Sequence, residues 1–213
     1  MTVVVLAKAP TPGRVKTRLC PPCDPDQAAQ LAEAALVDTL TAVAATRTRR
    51  RVLALDGTPG PWLPAGFEVL PQRGDGLNER LANAFTDLGE GGLLIGMDTP
   101  QVTPALLHAA LRALYRGRGD AVLGPCLDGG WWGVGLHAPD LAVFLGVPMS
   151  TTGTYDAQCA RLYALGLHTR PLPVLRDVDD IHDAVAVARD APDSRFAVTL
   201  RHVQERHLTL VAR

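Results

Sequence analysis

MTVVVLAKAPTPGRVKTRL, residues 1–19, decides how the rest of the chain is read. Val3 to Ala7 is an apolar run rich in β-branched valine, too short for a globular helix and without helical period. It reads as a strand buried on both faces. The loop that follows is punctuated by Gly13 and two prolines, and Lys8, Arg14, Lys16 and Arg18 crowd around it. In an open α/β sheet, small ligands bind at the carboxyl ends of the strands. Four cations gathered there repel one another unless an anion joins them. A triphosphate or pyrophosphate is the natural partner, because arginine grips phosphate oxygens in pairs and lysine acts as a point charge. The alternative is a basic surface loop with no role, since loops use glycine and proline in any case.

Around that stretch lies an ordinary globular composition. The 213 residues suffice for one domain with a full core, residues 1–213, and 47% of them are hydrophobic and 20% charged. A net charge of −1 argues against non-specific attraction to nucleic acid, so the basic loop is a local feature. No apolar run approaches the roughly 20 residues needed to cross a bilayer. The first residues lack a charged leader and a cleavage pattern, so the expected compartment is the cytoplasm, with no membrane partner. Cys20-Pro-Pro-Cys23 has the spacing of a redox dithiol or half a zinc site. Cys126 and Cys159 stand alone, with no second pair to complete a structural zinc site. Incidental thiols are the preferred reading.

The remaining segments alternate between strand-like and helical. Asp26 to Ala45 has the apolar spacing of a helix packed on a sheet, capped by Asp24 or Asp26. Arg47 to Arg51 reads as its solvated basic end. Val52–Leu55 and Phe67–Leu70 read as short strands, and Leu77 opens a helix after Gly74-Asp75-Gly76. Gly76 and Asn78 then stand at a helix N-terminus, which suits polar or anionic ligand groups; Arg80 is placed to reach a base, ribose or phosphate. Gly92–Gly96 is another buried strand, ending in Met97-Asp98-Thr99-Pro100. Asp98 lies where a metal-bound phosphate would be met, and Thr103 with Pro104 can start the next helix without it.

Asp120–Pro125 is a strand leading into Cys126-Leu127-Asp128-Gly129-Gly130-Trp131-Trp132. Gly129 and Gly130 allow backbone to approach a ligand, and Asp128 can hold an acceptor group or a metal-bound water. Strand alternation sends Trp131 and Trp132 to opposite faces, so one is core and the other can wall a pocket. A plain Asp-Gly-Gly turn is the alternative. Thr152–Leu165 reads as a helix and His168–Leu175 as a strand. Four aspartates, Asp177, Asp179, Asp180 and Asp183, follow within seven residues. Asp177 and Asp179 share a side by alternation, which favours a metal environment; a helix cap is the equal alternative. The histidines, His108, His137, His168, His182, His202 and His207, form no ligand or triad pattern. The sum is an α/β chain with a mostly parallel central sheet and helices on both faces.

Five stretches, AKAPTPGRVKTRL, GLNERLANAF, GMDTPQVTPALL, GPCLDGGWWGVGL and DVDDIHD, appear in this order. Together they resemble a family of bacterial GT-A-fold proteins labelled as glycosyltransferases, in the nucleotide-diphospho-sugar transferase superfamily. Elements of them also look like the 2-phospholactate guanylyltransferases. The resemblance covers residues 1 to about 190 and implies a three-layer, Rossmann-like GT-A fold. It implies that Gly13, Arg14, Lys16 and Arg18, with Ala7 and Lys8 at the strand end, lie at the nucleotide phosphates. Asp98 would be the principal ligand of Mg²⁺, or Mn²⁺ in its place, with Asp179 or Asp177 as the second. The chain departs from the family pattern in having Asp98-Thr99-Pro100-Gln101-Val102 for D-C-P-D-L, tryptophan rather than tyrosine at Trp131, and aspartate rather than threonine at Asp180.

Two reactions fit one such site. In nucleotidyl transfer, an oxygen of a small-molecule acceptor attacks the α-phosphate of a nucleoside triphosphate and pyrophosphate departs, a process driven by positioning and cations. In glycosyl transfer, a nucleotide-sugar loses its diphosphate. The D-x-P motif in place of D-x-D, and the cation-rich first loop, favour nucleotidyl transfer, with Lys16, Arg14, Asp98 and Asp128 as catalytic residues. A non-catalytic nucleotide-binding protein is the reading from another class. The nucleotide base, the acceptor and the oligomeric state, with a homodimer among the options, are not written in the sequence.

Overall fold

The computed structural model describes residues 1–116 and 119–211, with side chains in the last helix as far as Arg206. Side-chain statements about His207 therefore lie outside the described residues. The valine-rich run forms β1 (Thr2–Lys8), and Val3, Val4 and Val5 are at most 1% exposed. Each such burial contributes roughly 1.5–3 kcal/mol, and burial on both faces fixes β1 as a central strand.

Beyond β1 come α1 (Pro25–Ala45), β2 (Arg50–Asp56), β3 (Glu68–Pro71), α2 (Leu77–Leu88), β4 (Gly92–Gly96) and α3 (Pro104–Arg116). The second half adds β5 (Ala121–Pro125), β6 (Trp131–Leu136), α4 (Thr154–Ala164), β7 (Thr169–Pro171), α5 (Ile181–Asp190) and α6 (Arg195–Val211). The seven strands make one sheet in the order β3-β2-β1-β4-β6-β5-β7. Pairings are parallel except those of β6, which lies antiparallel between β4 and β5. One face is covered by α1 and α3 around Leu36, Leu40, Leu107 and Leu111, the other by α2 and α4 around Leu81, Phe85 and Leu162. This is the expected three-layer, mostly parallel α/β arrangement. A third apolar cluster joins α1 to α5 and α6 through Leu31, Phe196 and Leu200.

Local signals explain most boundaries. Asp24 and Gln27 form a capping box at the start of α1, and Thr103 Oγ1 accepts from the Leu106 amide at the start of α3. At 21 residues and a mean hydropathy of 1.2, α1 is long and apolar enough to cross a bilayer, contrary to the expectation that no such run exists. Most of that window is buried inside the fold.

Two further expectations are corrected. Arg47–Arg51 is not the end of α1, which stops at Ala45: Arg50 and Arg51 begin β2. Arg50 pairs there with Glu68 of β3 at 2.8 Å and with Glu90, in the connection before β4, at 2.9 Å, so ion pairs rather than the helix dipole use this cation. The strand expected over His168–Leu175 is only Thr169–Pro171, because Pro171 and Pro173 cannot continue a ladder; a lone bridge from Leu175 to Cys126 resumes it.

Candidate active site

The sheet order reverses at β1: β2 and β3 lie to one side, β4 and the rest to the other. A crevice opens beyond the carboxyl ends of strands at such a reversal. Lys8 ends β1 and Asp98 stands two residues past the end of β4, so both arrive at its lip.

The basic loop is pinned by two buried anchors, Val15 at 7% exposure and Leu19 at 0%. Gly13 has φ +72°, and Lys16 between the anchors is left-handed at φ +49°. A lysine held there is strained by a kcal/mol or more, and its contacts hold it. Its Nζ lies 2.7 Å from Asp98 Oδ1 and 4.0 Å from Asp179 Oδ1, and it also donates to the Val178 carbonyl. Arg18 Nη1 meets Asp179 Oδ2 at 2.6 Å. The Lys16 side chain is 11% exposed, that of Asp98 41% and that of Arg18 70%. Lys8 and Arg14 form no ion pair among the described residues. The chain segment with Asp177 and Asp179 is fastened to the end of β4 by the Val178 amide, which donates to the Asp98 carbonyl at 2.9 Å.

On the other side of Asp98 is the turn between β5 and β6. Gly129 is required there: its φ is +90°, and a Cβ would stand 2.0 Å from the Thr152 carbonyl oxygen. The Tyr155 amide donates to the Gly129 carbonyl at 2.8 Å, locking the turn onto α4, and Asp128 Oδ1 accepts from the Gly130 amide at 2.7 Å. The Cys126 sulfur and oxygens of Asp128 and Asp177 lie within 4.8 Å of one another. Burial, reinforced by the charges of Asp128 and Asp179, raises the Asp177 carboxyl to about 6. Burial likewise pushes the Cys126 thiol far up, so it stays protonated.

Two cavities result, meeting at Asp98 and Asp179. The first, about 500 Å³, is lined by Ala7, Lys8, Arg14, Lys16 and Arg18 and by Gln72 and Arg80. The second, about 480 Å³, is lined by Asp98, Asp128, Gly130, Asp177 and Asp179 and by Trp131 and Met149. The basic loop and the Asp98 carboxylate therefore share a cleft. Gly13, Gly76, Asn78 and Gly129 line neither cavity. Gly13 and Gly129 shape their loops, while the side-chain oxygen of Asn78 sits over Gly76, 2.6 Å from where a Cβ would be. Arg80 reaches the first cavity but is held by Asp56 at 2.8 Å. The aspartate run divides: Asp177 and Asp179 face the cleft, while Asp180 and Asp183 form the capping box of α5. Trp132 is the core member of its pair, 2% exposed with its indole donating to the Pro173 carbonyl, and Trp131 is the wall. All four cysteines are free.

Sequence reasoning missed Gln72, whose amide nitrogen donates to the carbonyls of Ala7 at 2.8 Å and Ala54 at 2.9 Å. Both amide hydrogens are thereby used, and the side-chain oxygen is left as a fixed acceptor at the cavity wall. It also missed Ser150, left-handed at φ +59° and shared by both cavities. A glutamine just past an edge strand and a serine in a loop carry no signal of their own.

A family profile described as an uncharacterized protein conserved in bacteria matches residues 27–151. No curated protein matches the chain. Among solved structures, the chain is similar to a protein of Desulfovibrio desulfuricans G20 named provisionally as a nucleotide-diphospho-sugar transferase. The two are 26% identical over 96% of this chain and 95% of that one, with a TM-score of 0.84. Its fold is also similar to that of a CMP:2-keto-3-deoxy-manno-octonic acid synthetase complexed with CTP (13% identity, 90% and 98% coverage, TM-score 0.57). A cytidylyltransferase from Leptospira borgpetersenii serovar Hardjo-bovis shares the fold at 11% identity, 96% and 94% coverage and a TM-score of 0.54.

Proposed function

The chain belongs to this family, DUF2064, and we propose that it is a transferase that takes a nucleotide-activated donor, by preference a nucleoside triphosphate, and passes its nucleotidyl group to a small acceptor. The observation that carries this reading is the cleft shared by Lys8, Arg14, Lys16 and Arg18 with Asp98 and Asp179. A polyphosphate is the ligand that such a concentration of cations accommodates. The nucleotide lies in the first cavity with its phosphates toward the basic loop. Arg14 and Lys8, uncommitted to carboxylates, take the outer phosphates, and Lys16 reaches between them and Asp98.

The acceptor oxygen enters from the second cavity and forms a bond to the α-phosphorus as the bond to the bridging oxygen of the pyrophosphate breaks. Its proton passes to a carboxylate on that side, Asp128 being the most exposed, and pyrophosphate carries away the electron pair. Most of the acceleration comes from alignment and from fixed positive charge at the leaving group.

The donor set fits a hard divalent cation. Oxygens of Asp128 and Asp177 lie within 4.8 Å of one another, and Asp98 and Asp179 line the same cavity, a carboxylate-rich set of the kind a hard cation takes. Asp98, Asp179 and Asp177, joined by Asp128, would hold Mg²⁺ or Mn²⁺, which when bound supplies further positive charge to the departing phosphates.

Glycosyl transfer from a nucleotide-sugar is the second reading, favoured by the name of the 26% identical D. desulfuricans protein. A thermal-shift panel of nucleoside triphosphates and nucleotide-sugars with Mg²⁺, followed by mass analysis of products, separates the two. Release of pyrophosphate supports the first, release of nucleoside diphosphate the second, and absence of both binding and turnover overturns the proposal.

A further inference from the structure

The two cavities differ in chemistry, and the difference bears on the acceptor. The first holds the free cations Lys8 and Arg14. In the second, the single cation is Arg18, already engaged by Asp179, and it faces Asp98, Asp128, Asp177 and Asp179. With Lys16 paired to Asp98 at its edge, one bound divalent cation would leave that lining without net positive charge to attract an anion, and a nucleotide polyphosphate next door adds negative charge. The rest of the wall is apolar, formed by Leu77, Leu81, Leu94, Trp131 and Met149.

Two residues of this wall carry a buried polar atom that lacks a partner among the described residues. The Trp131 indole N–H is buried without a hydrogen bond, and so is the hydroxyl of Thr99, a residue 2% exposed. A buried donor left unpaired costs free energy, and in a ligand cavity an oxygen of the ligand is the natural remedy.

We infer that the second cavity selects an uncharged, hydroxyl-bearing acceptor with an apolar body, and excludes phosphorylated and carboxylated ones. The inference rests on the transferase reading for the word acceptor, but the binding preference is testable without turnover. About 480 Å³ accommodates a small amphiphile. Its apolar part lies against Trp131 and Met149, an oxygen of its head accepts from Trp131 or Thr99, and its nucleophilic hydroxyl points to the carboxylates at the boundary.

Hexyl β-D-glucoside and hexyl phosphate share a tail and differ in the charge of the head. Calorimetric titration of each into the full-length protein with Mg²⁺ present tests the inference. The glucoside binds at least about tenfold more tightly, and Trp131→Phe or Thr99→Val weakens it by about fivefold, the worth of one hydrogen bond. Thr99→Val keeps the shape of the wall and isolates the hydrogen bond, whereas Trp131→Phe also removes ring area. Equal or tighter binding of hexyl phosphate, no binding of the glucoside, or an affinity that neither variant changes would overturn it. Titrating CTP and GTP into wild type and Lys16→Ala keeps the two ideas apart. Glucoside binding without nucleotide binding sinks the proposed function and leaves this inference standing; the converse sinks only this inference.

Discussion

Lys16 and Asp98 were singled out by residue type and position, and their side chains meet at 2.7 Å. Asp98→Ala is expected to reduce turnover by about 10²–10³-fold, the scale of losing one preorganised electrostatic partner, with far-UV circular dichroism unchanged. On the proposed reading, Lys16→Ala is expected to weaken triphosphate binding more than monophosphate binding in titration, since its ammonium would meet phosphates that a monophosphate lacks. Asp177 makes a prediction about pH. Its carboxyl is raised to about 6 by burial and by Asp128 and Asp179, above its value in the unfolded chain. Its charge therefore penalises the fold at pH above about 6, the penalty fades as pH falls from there toward 4, and it is absent below. Asp177→Asn should raise the Tm of the metal-free protein at pH 8 and leave it unchanged at pH 4; scanning calorimetry at both values checks this. Gln72 was illegible because its role depends on two carbonyls from different strands that only the folded sheet brings together.

Among the elements, periodicity and caps located α1, α3 and the buried strands within a few residues, since those signals are local. The basic stretch after α1 was misread because the helix dipole and a long-range ion pair ask for the same residue type, and only the position of Glu68 and Glu90 decides. Asp38, in the middle of α1, shows another nonlocal use: its carboxylate accepts from the Arg195 and Phe196 amides at 3.1 and 2.8 Å and so caps α6. Asp38→Ala should cost about 1 kcal/mol, the usual worth of a cap, read as a lower urea midpoint. Gly129→Ala is expected to do more, because its Cβ would collide with the Thr152 carbonyl and push the Asp128 turn off α4. Activity should fall there beyond any loss in Tm, and an active, fully stable variant would contradict the placement of that turn.

For the whole molecule, alternation of strands and helices was enough to foresee a mostly parallel three-layer sheet, whereas the insertion of β6 against the grain between β4 and β5 was not. Strand order is set by long-range pairing, which no local pattern encodes. A nucleotide that binds the folded state alone should stabilise it by about 2.7 kcal/mol at a hundredfold excess over Kd, and a rising Tm across a triphosphate titration, blunted in Lys16→Ala, is the expected result. The reversed strand has one more consequence. Because β6 doubles back, the wall carrying Asp128 and Trp131 comes from the second half of the polypeptide, while the basic rim and Gln72 come from the first. Leu77, Leu81, Leu94 and Thr99 of the first half also line the second cavity, so on the proposed reading it is residues 126–132 alone whose exchange between homologues should alter acceptor preference while nucleotide preference stays with the basic loop.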